Sequence, residues 1–324
     1  MSKAIRIHQT GGPEVLVWED VDPGKPDEGQ VLIRQNAVGL NYIDVYQRTG
    51  LYPVGDLPQT LGMEGSGVIT AVGPGVTEFT TGDRIAYAMV PGSYCEERVI
   101  DADRSVKVPD GISDQTAAAM MLQGMTARYL LKSSYAVRPG DSILVMAAAG
   151  GVGLILCQWA KSLGARIIGC VGSEEKALLA QANGCDHTIL YKEEDIAARV
   201  RDITGGEGVC ASYDSIGQAT LEASLDSLRP TGILVSYGNA MGPISGFNAG
   251  MLAAKGSLYL QRPTLATYIR TRQLLNESSH DLFDVVLRGM VNINIGQTYP
   301  LAETARAHRD LEDRRTSGST VLLP

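Results

Sequence analysis

The chain has 324 residues, 44% apolar and 20% charged, enough for a sizeable core and too apolar for a disordered chain. A formal net charge of −8 without any Lys/Arg run argues against nucleic acid or an anionic membrane as partner. No window reaches the ~18 consecutive apolar residues of a membrane span, and the opening MSKAIRIHQTGG is not patterned as a signal peptide.

Thirty-seven glycines, roughly 11% against an average of about 7%, imply many tight turns. The first ~120 residues read as short strands, KAIRIHQ, VLVWEDV, QVLIRQNAVGL, GSGVITAVG, DRIAYAM and SVKVP, with turns at Gly11-Gly12-Pro13 and Pro23–Gly29. That texture predicts an antiparallel, barrel-like β domain. At Ser113, a candidate N-cap, a helical pattern begins and runs through SDQTAAAMMLQGMTARYLLKSSY. From Asp141 strand and helix patterns alternate: DSILVM, then VGLILCQWAKSLG, RIIGCVG, SEEKALLAQANG, HTILY, EEDIAARVRDITGG, VCASYDSIG, ATLEASLDSLRPTG, ILVSYGN and SLYLQRP. Repeated βα units predict a doubly wound parallel sheet with helices on both faces. After Arg262 the pattern turns helical, and SGSTVLLP reads as a final strand. The fold class is therefore α/β, with an antiparallel, barrel-like β domain beside a Rossmann-type domain.

The strand DSILVM runs straight into Ala147-Ala148-Ala149-Gly150-Gly151-Val152-Gly153 and a helix. On the G-x-G-x-x-G template Ala148, Gly150 and Gly153 take the glycine positions. Gly150 and Gly151 would let the backbone approach a pyrophosphate, Gly153 would let helix and strand pack closely, and the helix start would face the phosphates. An ordinary glycine-rich βα turn is the competing reading; the strand before, the helix after and the further βα units favour a dinucleotide. About 20 residues on, where an acid would hold the ribose of NAD, the second strand ends Cys170-Val171-Gly172-Ser173 without a carboxylate. Ser173, Lys176 and Tyr191 are instead a set suited to a 2′-phosphate, so NADPH is expected. The competing reading makes Ser173 an N-cap and Lys176 a solvated charge; Glu174 and Glu175 would repel phosphate if turned inward.

With these residues in view, the chain resembles the zinc-independent quinone oxidoreductases, the zeta-crystallin-like branch of the medium-chain dehydrogenase/reductase superfamily. The motifs that carry the resemblance span the chain: Gly12-Pro13-Glu14-Val15-Leu16, Gly39-Leu40-Asn41-Tyr42-Ile43-Asp44, Arg48-Thr49-Gly50-Leu51-Tyr52-Pro53, Leu61-Gly62-Met63-Glu64-Gly65-Ser66-Gly67 and Leu122-Gln123-Gly124-Met125-Thr126-Ala127. The glycine-rich turn, Tyr213-Asp214-Ser215-Ile216-Gly217 and Arg262-Pro263 complete the set. The resemblance implies a GroES-like catalytic domain from residues 1–123 and 263–324 around an NADPH-binding Rossmann domain at 124–262, with the active site in the cleft between them. It also implies a homodimer.

Zinc-dependent relatives carry a Cys and a His where this chain has Asn41 and Met63, and a four-Cys lobe that is missing here. The four histidines lack ligand spacing, so no metal is expected. Cys95, Cys157, Cys170, Cys185 and Cys210 are odd in number and scattered, the usage of a reduced, cytoplasmic protein. Without a metal the substrate carbonyl must be polarised by hydrogen bonds. The resemblance places Asn41, Tyr46 and Tyr52 at the substrate, Asn41 as an amide donor and the tyrosines as contacts first and acids second. Matched motifs further assign cofactor contacts to Thr126, read as opening a helix, to Gly150, Gly151, Val152 and Gly172, and to Ser215, Gly217, Gly238 and Asn239. Arg314 is read either as a phosphate contact or as the partner of Glu312 or Asp310. Glu64 is read as structural and Asp44 as a helix cap. The implied activity is NADPH-dependent reduction of a quinone, whose aromatic product suits a sparse site. The rivals are an enoyl or 2-alkenal reductase and a noncatalytic NADPH-binding protein with a structural or RNA-binding duty.

Overall fold

The computed structural model describes residues 2–324, which divide into two compact units: 2–125 with Ile269–Leu287 and Ile293–Pro324, and Thr126–Tyr268 with Arg288–Asn292. The first unit begins with β1 (Ser2–Ile7), β2 (Val17–Val21), β3 (Gln30–Leu40), helix α1 (Tyr42–Thr49), β4 (Gln59–Thr60), β5 (Glu64–Val72), β6 (Arg84–Ala88), β7 (Glu97–Asp101) and β8 (Ser105–Lys107). Helix α2 (Asp114–Tyr129) then leads into the second unit. Ser113 is its N-cap: the Thr116 amide donates to Ser113 Oγ at 3.1 Å. The second unit holds β9 (Ser142–Met146), α3 (Gly151–Ser162), β10 (Arg166–Val171), α4 (Glu174–Ala182), β11 (His187–Leu190), α5 (Ile196–Ile203), β12 (Val209–Asp214), α6 (Leu221–Asp226), β13 (Leu228–Ser236), α7 (Gly250–Ala254), β14 (Tyr259–Gln261) and α8 (Leu265–Tyr268). Helix α9 (Arg272–Leu287), β15 (Ile295–Pro300), α10 (Thr304–Glu312) and β16 (Ser319–Leu323) return the chain to the first unit.

In the first unit the larger sheet runs β15-β16-β3-β5-β6-β8, with β7 also paired to β3, and a smaller sheet runs β2-β1-β4. Strand β3 shows why: Val31, Ile33, Gln35 and Ala37 are buried while the residues between them are less so, the period-2 signature of a strand with one face on the core. Val31 and Ile33 pack with Ile69, Phe79, Ile85 and Ile100. In the second unit the order is β11-β10-β9-β12-β13-β14 and every pair is parallel. Its inner strands are apolar on both faces, as a sheet covered on both sides requires: in β9, Ile143, Leu144, Val145 and Met146 are all buried.

Three elements differ from the sequence expectation. The helix expected through ATLEASLDSLRPTG stops at Asp226 and β13 starts at Leu228. Pro230 lacks an amide donor and disfavours a helical residue before it. Strand β7 was not read from the sequence, and β15 interrupts a stretch expected to be helical. Residues 295 and 297–300 of β15 gain their strand partners from β16, which no local pattern announces.

Candidate functional site

In the second unit, β9 ends at Met146 and Ala147 takes a left-handed backbone with φ of 54°. Gly150 is the N-cap of α3 and offers no side chain to it, whereas Ser173 and Asp195 cap α4 and α5 by accepting from Lys176 N and Ala198 N. The first intrahelical bond runs from Leu154 N to Gly150 O at 2.9 Å. The amides of Gly151, Val152 and Gly153 therefore precede the first helical donor and sit at the positive end of the helix dipole, the arrangement that receives a phosphate. A Cβ on Gly153 would stand 2.4 Å from Ala147 O and 2.7 Å from Ala148 O. Only a hydrogen fits there. Ala148 departs from the glycine fingerprint, and β10 accommodates it: a Cβ on Gly169 would lie 2.8 Å from the Ala148 methyl. Gly169 is the signal that explains an alanine in the first glycine slot.

Strand β10 ends beside the second group of expected cofactor residues. A Cβ on Gly172 would meet the Tyr191 hydroxyl at 2.9 Å, so the phenol lies directly over that glycine. Ser173 Oγ accepts from the Lys176 amide at 3.4 Å, which is the N-cap geometry, while its side chain stays exposed. Glu174 and Glu175 are exposed on the first turn of α4, and Lys176 is half-buried. The segments after β12 and β13 are fastened together: Tyr237 N donates to Asp214 O, Ala240 N to Ser215 O and Met241 N to Ile216 O, at 2.8, 3.1 and 2.8 Å. Gly238 permits this approach, since a Cβ would meet Ser215 O at 2.4 Å. Gly217 and Asn239 are buried in these segments and Ser215 is half-buried. The organiser is Asp214, which sequence reasoning quoted without a role. Its carboxylate accepts from Ile216 N, Gly217 N, Thr220 Oγ1 and Ser224 Oγ at 2.7, 3.1, 2.7 and 2.6 Å. Thr126 is corrected: it does not open a helix but lies within α2, buried, because the helix nucleated at Ser113 continues unbroken past Gly124.

In the first unit, Asn41 precedes α1 and is buried. Its backbone amide donates to Asp44 Oδ2 at 2.9 Å, as the sequence suggested for a cap. Its side chain is held at both ends: Asn41 Nδ2 donates to Glu64 Oε1 at 2.6 Å, and Gln123 Nε2 donates to Asn41 Oδ1 at 3.0 Å. Glu64 Oε2 accepts from Leu122 N at 2.6 Å, and Ser319 Oγ donates to Gln123 Oε1 at 2.7 Å. Burial outweighs these hydrogen bonds and pushes the Glu64 carboxyl up to about 8. Tyr46 is buried on α1, its ring 5.2 Å from that of Tyr52 in an edge-on contact and 6.1 Å from that of Tyr42. Tyr52 is half-buried, and its amide donates to Tyr46 O at 2.9 Å, which ties the segment after α1 back onto the helix.

A second buried chain starts at Arg48, 1% exposed on its side chain. Its guanidinium donates twice to Glu312 at 2.8 Å and once to His308 Nδ1 at 3.1 Å. A guanidinium only donates, so His308 carries its proton on Nε2 and directs it to the Tyr94 oxygen, 3.2 Å away. Tyr94 in turn donates to Asp44 Oδ2 at 2.7 Å. Burial, aided by Arg48, lowers His308 to about 3, and burial raises Asp44 to about 7. Sequence reasoning gave Arg48, Tyr94, Gln123 and His308 no such role; they are 37 to 264 positions from their partners and only the fold assembles them. Arg314 is exposed after α10 with φ of 59°. Glu312, proposed as its partner, is engaged by Arg48, and Asp310 faces Arg306 and Arg315.

Two domain families match the chain: Alcohol dehydrogenase GroES-like domain over residues 27–139 and Zinc-binding dehydrogenase over residues 151–278. Fold and site thus define a two-part dehydrogenase/reductase. The chain is 50% identical over 325 residues to a quinone oxidoreductase of Pseudomonas aeruginosa, covering 100% of both. It is 46% identical over 331 residues to a 2-haloacrylate reductase of Burkholderia sp, covering 100% of this chain and 99% of the relative. The crystal structure of the Escherichia coli quinone oxidoreductase complexed with NADPH matches with a TM-score of 0.98 at 45% identity, over 99% of this chain and 100% of that one. The chain belongs to the quinone oxidoreductase family, the zeta-crystallin-like branch of the medium-chain dehydrogenases/reductases.

Zinc, named in one of the matching families, does not fit the residues present. Among the described residues no three His, Cys, Asp or Glu side chains gather as ligands, and the Asn41 amide is held by Glu64 and Gln123. NADPH does fit: the uncapped start of α3 and the hydrogen-only clearance at Gly153 are what a pyrophosphate needs.

Proposed function

We propose that this protein is an NADPH:quinone oxidoreductase that works without zinc. The observation that carries the reading is the start of α3, where three backbone amides, the last of them on a glycine that cannot bear a side chain, stand free of helical partners. In this reading Gly150, Gly151 and Val152 hold the pyrophosphate, and Gly172, Ser173, Lys176 and Tyr191 hold the 2′-phosphate. Thr126, Ser215, Gly217, Gly238 and Asn239 line the rest of the cofactor, with Arg314 as a further phosphate contact. NADPH, when bound, supplies the hydride. Asn41 gives its second Nδ2 hydrogen to the acceptor oxygen, and Tyr46 and Tyr52 form an aromatic wall against the quinone ring. A quinone asks little more of the protein, because its reduced form is a phenolate whose conjugate acid titrates near ~10 and is protonated readily.

The reading extends to a homodimer in the cytoplasm. Strand β14 ends the parallel sheet with Tyr259 62% exposed, an edge suited to a second copy. All five thiols are free and buried, and no helix among the described residues is long and apolar enough to cross a membrane.

Loss of NADPH absorbance with a p-quinone, a 2-alkenal and a 2-haloacrylate, measured in parallel, tests the activity. The quinone should be reduced at least ten times faster in kcat/KM. Faster reduction of an activated alkene overturns the assignment, and tight NADPH binding without turnover of any quinone points to a noncatalytic binder. For the cofactor, Lys176→Ala should raise the KM for NADPH about tenfold, the usual worth of one charge-assisted contact, and leave NADH unaffected. An equal effect on both cofactors removes Lys176 from the 2′-phosphate.

A further inference from the structure

We infer that Glu64 is a positioning residue whose carboxylate sets the direction of a hydrogen-bond chain, Ser319 to Gln123 to Asn41 to Glu64, and thereby presents Asn41 to the substrate as a donor. The inference rests on the reading that Asn41 faces the acceptor oxygen. A hydroxyl and two carboxamides can be threaded in either direction, since each has both a donor and an acceptor. Once ionised, above about pH 8, the Glu64 carboxylate has no donor and can only terminate such a chain. Both Glu64 oxygens are taken, Oε1 by Asn41 Nδ2 and Oε2 by Leu122 N, at 2.6 Å each, and the carboxylate is fully buried. With Glu64 ionised, Asn41 is therefore locked with its nitrogen towards Glu64 and its oxygen towards Gln123, and its second N–H has one orientation.

Replacing the carboxylate by an amide lifts the lock without opening a hole. In Glu64→Gln the new oxygen still accepts from Leu122 N and the new nitrogen donates to Asn41 Oδ1. Asn41 then donates to Gln123 Oε1, and Gln123 donates to Ser319 Oγ. Each hydrogen bond of the chain is remade in the opposite direction, so the fold tolerates the change while an oxygen lone pair replaces the N–H that faced substrate. Protonation of Glu64 acts likewise, because each of its oxygens already faces a donor. Asp44 on α1, Tyr87 on β6 and Tyr94 are the titratable groups coupled to Glu64. Of these only Asp44, raised to about 7, titrates near neutral pH, and its charged form disfavours ionised Glu64, as burial does.

The test compares wild type, Glu64→Gln and Asn41→Ala with NADPH and a p-quinone across pH. Glu64→Gln should lower kcat tenfold or more, keep the Kd for NADPH within twofold and show a flat pH profile. Wild type should lose kcat on an acid limb lying well above the ordinary carboxylate range. Unchanged kcat in Glu64→Gln, with kcat lost in Asn41→Ala, overturns the role of Glu64 alone. Unchanged kcat in Asn41→Ala takes down the reading of Asn41 and this inference together. Should Glu64→Gln not fold, a wild-type profile without the acid limb overturns the inference by itself.

Discussion

Gly153→Val should weaken NADPH binding at least a hundredfold, measured by fluorescence titration of the cofactor. Its Cβ would stand 2.4 Å from Ala147 O and 2.7 Å from Ala148 O, and both are backbone atoms that cannot rotate aside. Either the turn opens or α3 tilts, and both movements carry the amides of Gly151 and Val152 away from the pyrophosphate. A hundredfold loss is about 2.7 kcal/mol, a modest demand for displaced charge-assisted bonds at a helix start. Gly150→Ala is the graded control, because its Cβ would sit 3.2 Å from Ala147 O and a shift of a few tenths of an ångström relieves it. Affinity for NADPH within threefold of wild type in Gly153→Val would remove the turn from the cofactor site.

Arg48→Met should destabilise the protein by about 2–4 kcal/mol in urea unfolding, through buried acceptors left without donors. The side chain donates to Gly11 O and His308 Nδ1 as well as to Glu312. Glu312, 33% exposed, can recover water, whereas His308 is fully buried and cannot. The comparison is Arg306→Met, whose ion pair with Glu303 is mostly exposed and should matter by less than about 1 kcal/mol. Equal losses in the two variants would show that the buried chain from Arg48 to Asp44 adds nothing to stability.

What could be read from the sequence was what local geometry dictates. The parallel sheet was legible because strands covered on both faces are uniformly apolar, and the Gly150–Gly153 turn because backbone clearance leaves only glycine. The polar partners were not legible. Glu64 meets Asn41 because β3 and β5 pair Gly39 with Glu64, a register that no spacing rule gives. Arg48 meets Glu312 across 264 positions. Thr126 was misplaced at a helix start although the helical pattern from Ser113 already ran through it, and α2 continues past it to Tyr129. Ser173 illustrates a reading that the backbone alone does not decide, because a hydroxyl that caps a helix still has a lone pair and a proton to offer an anion.

Strand β16 lies inside the larger sheet, between β15 and β3, yet the whole second unit separates it in the chain from β3. During synthesis the ribosome therefore delivers an inner strand of the first unit only after the second unit has emerged. Until then β3, paired with β7 over 30–34, keeps a bare edge at Val38, Gly39 and Leu40, and Gln123 lacks the serine that orients it. The nascent chain is expected to acquire cofactor affinity before it acquires turnover.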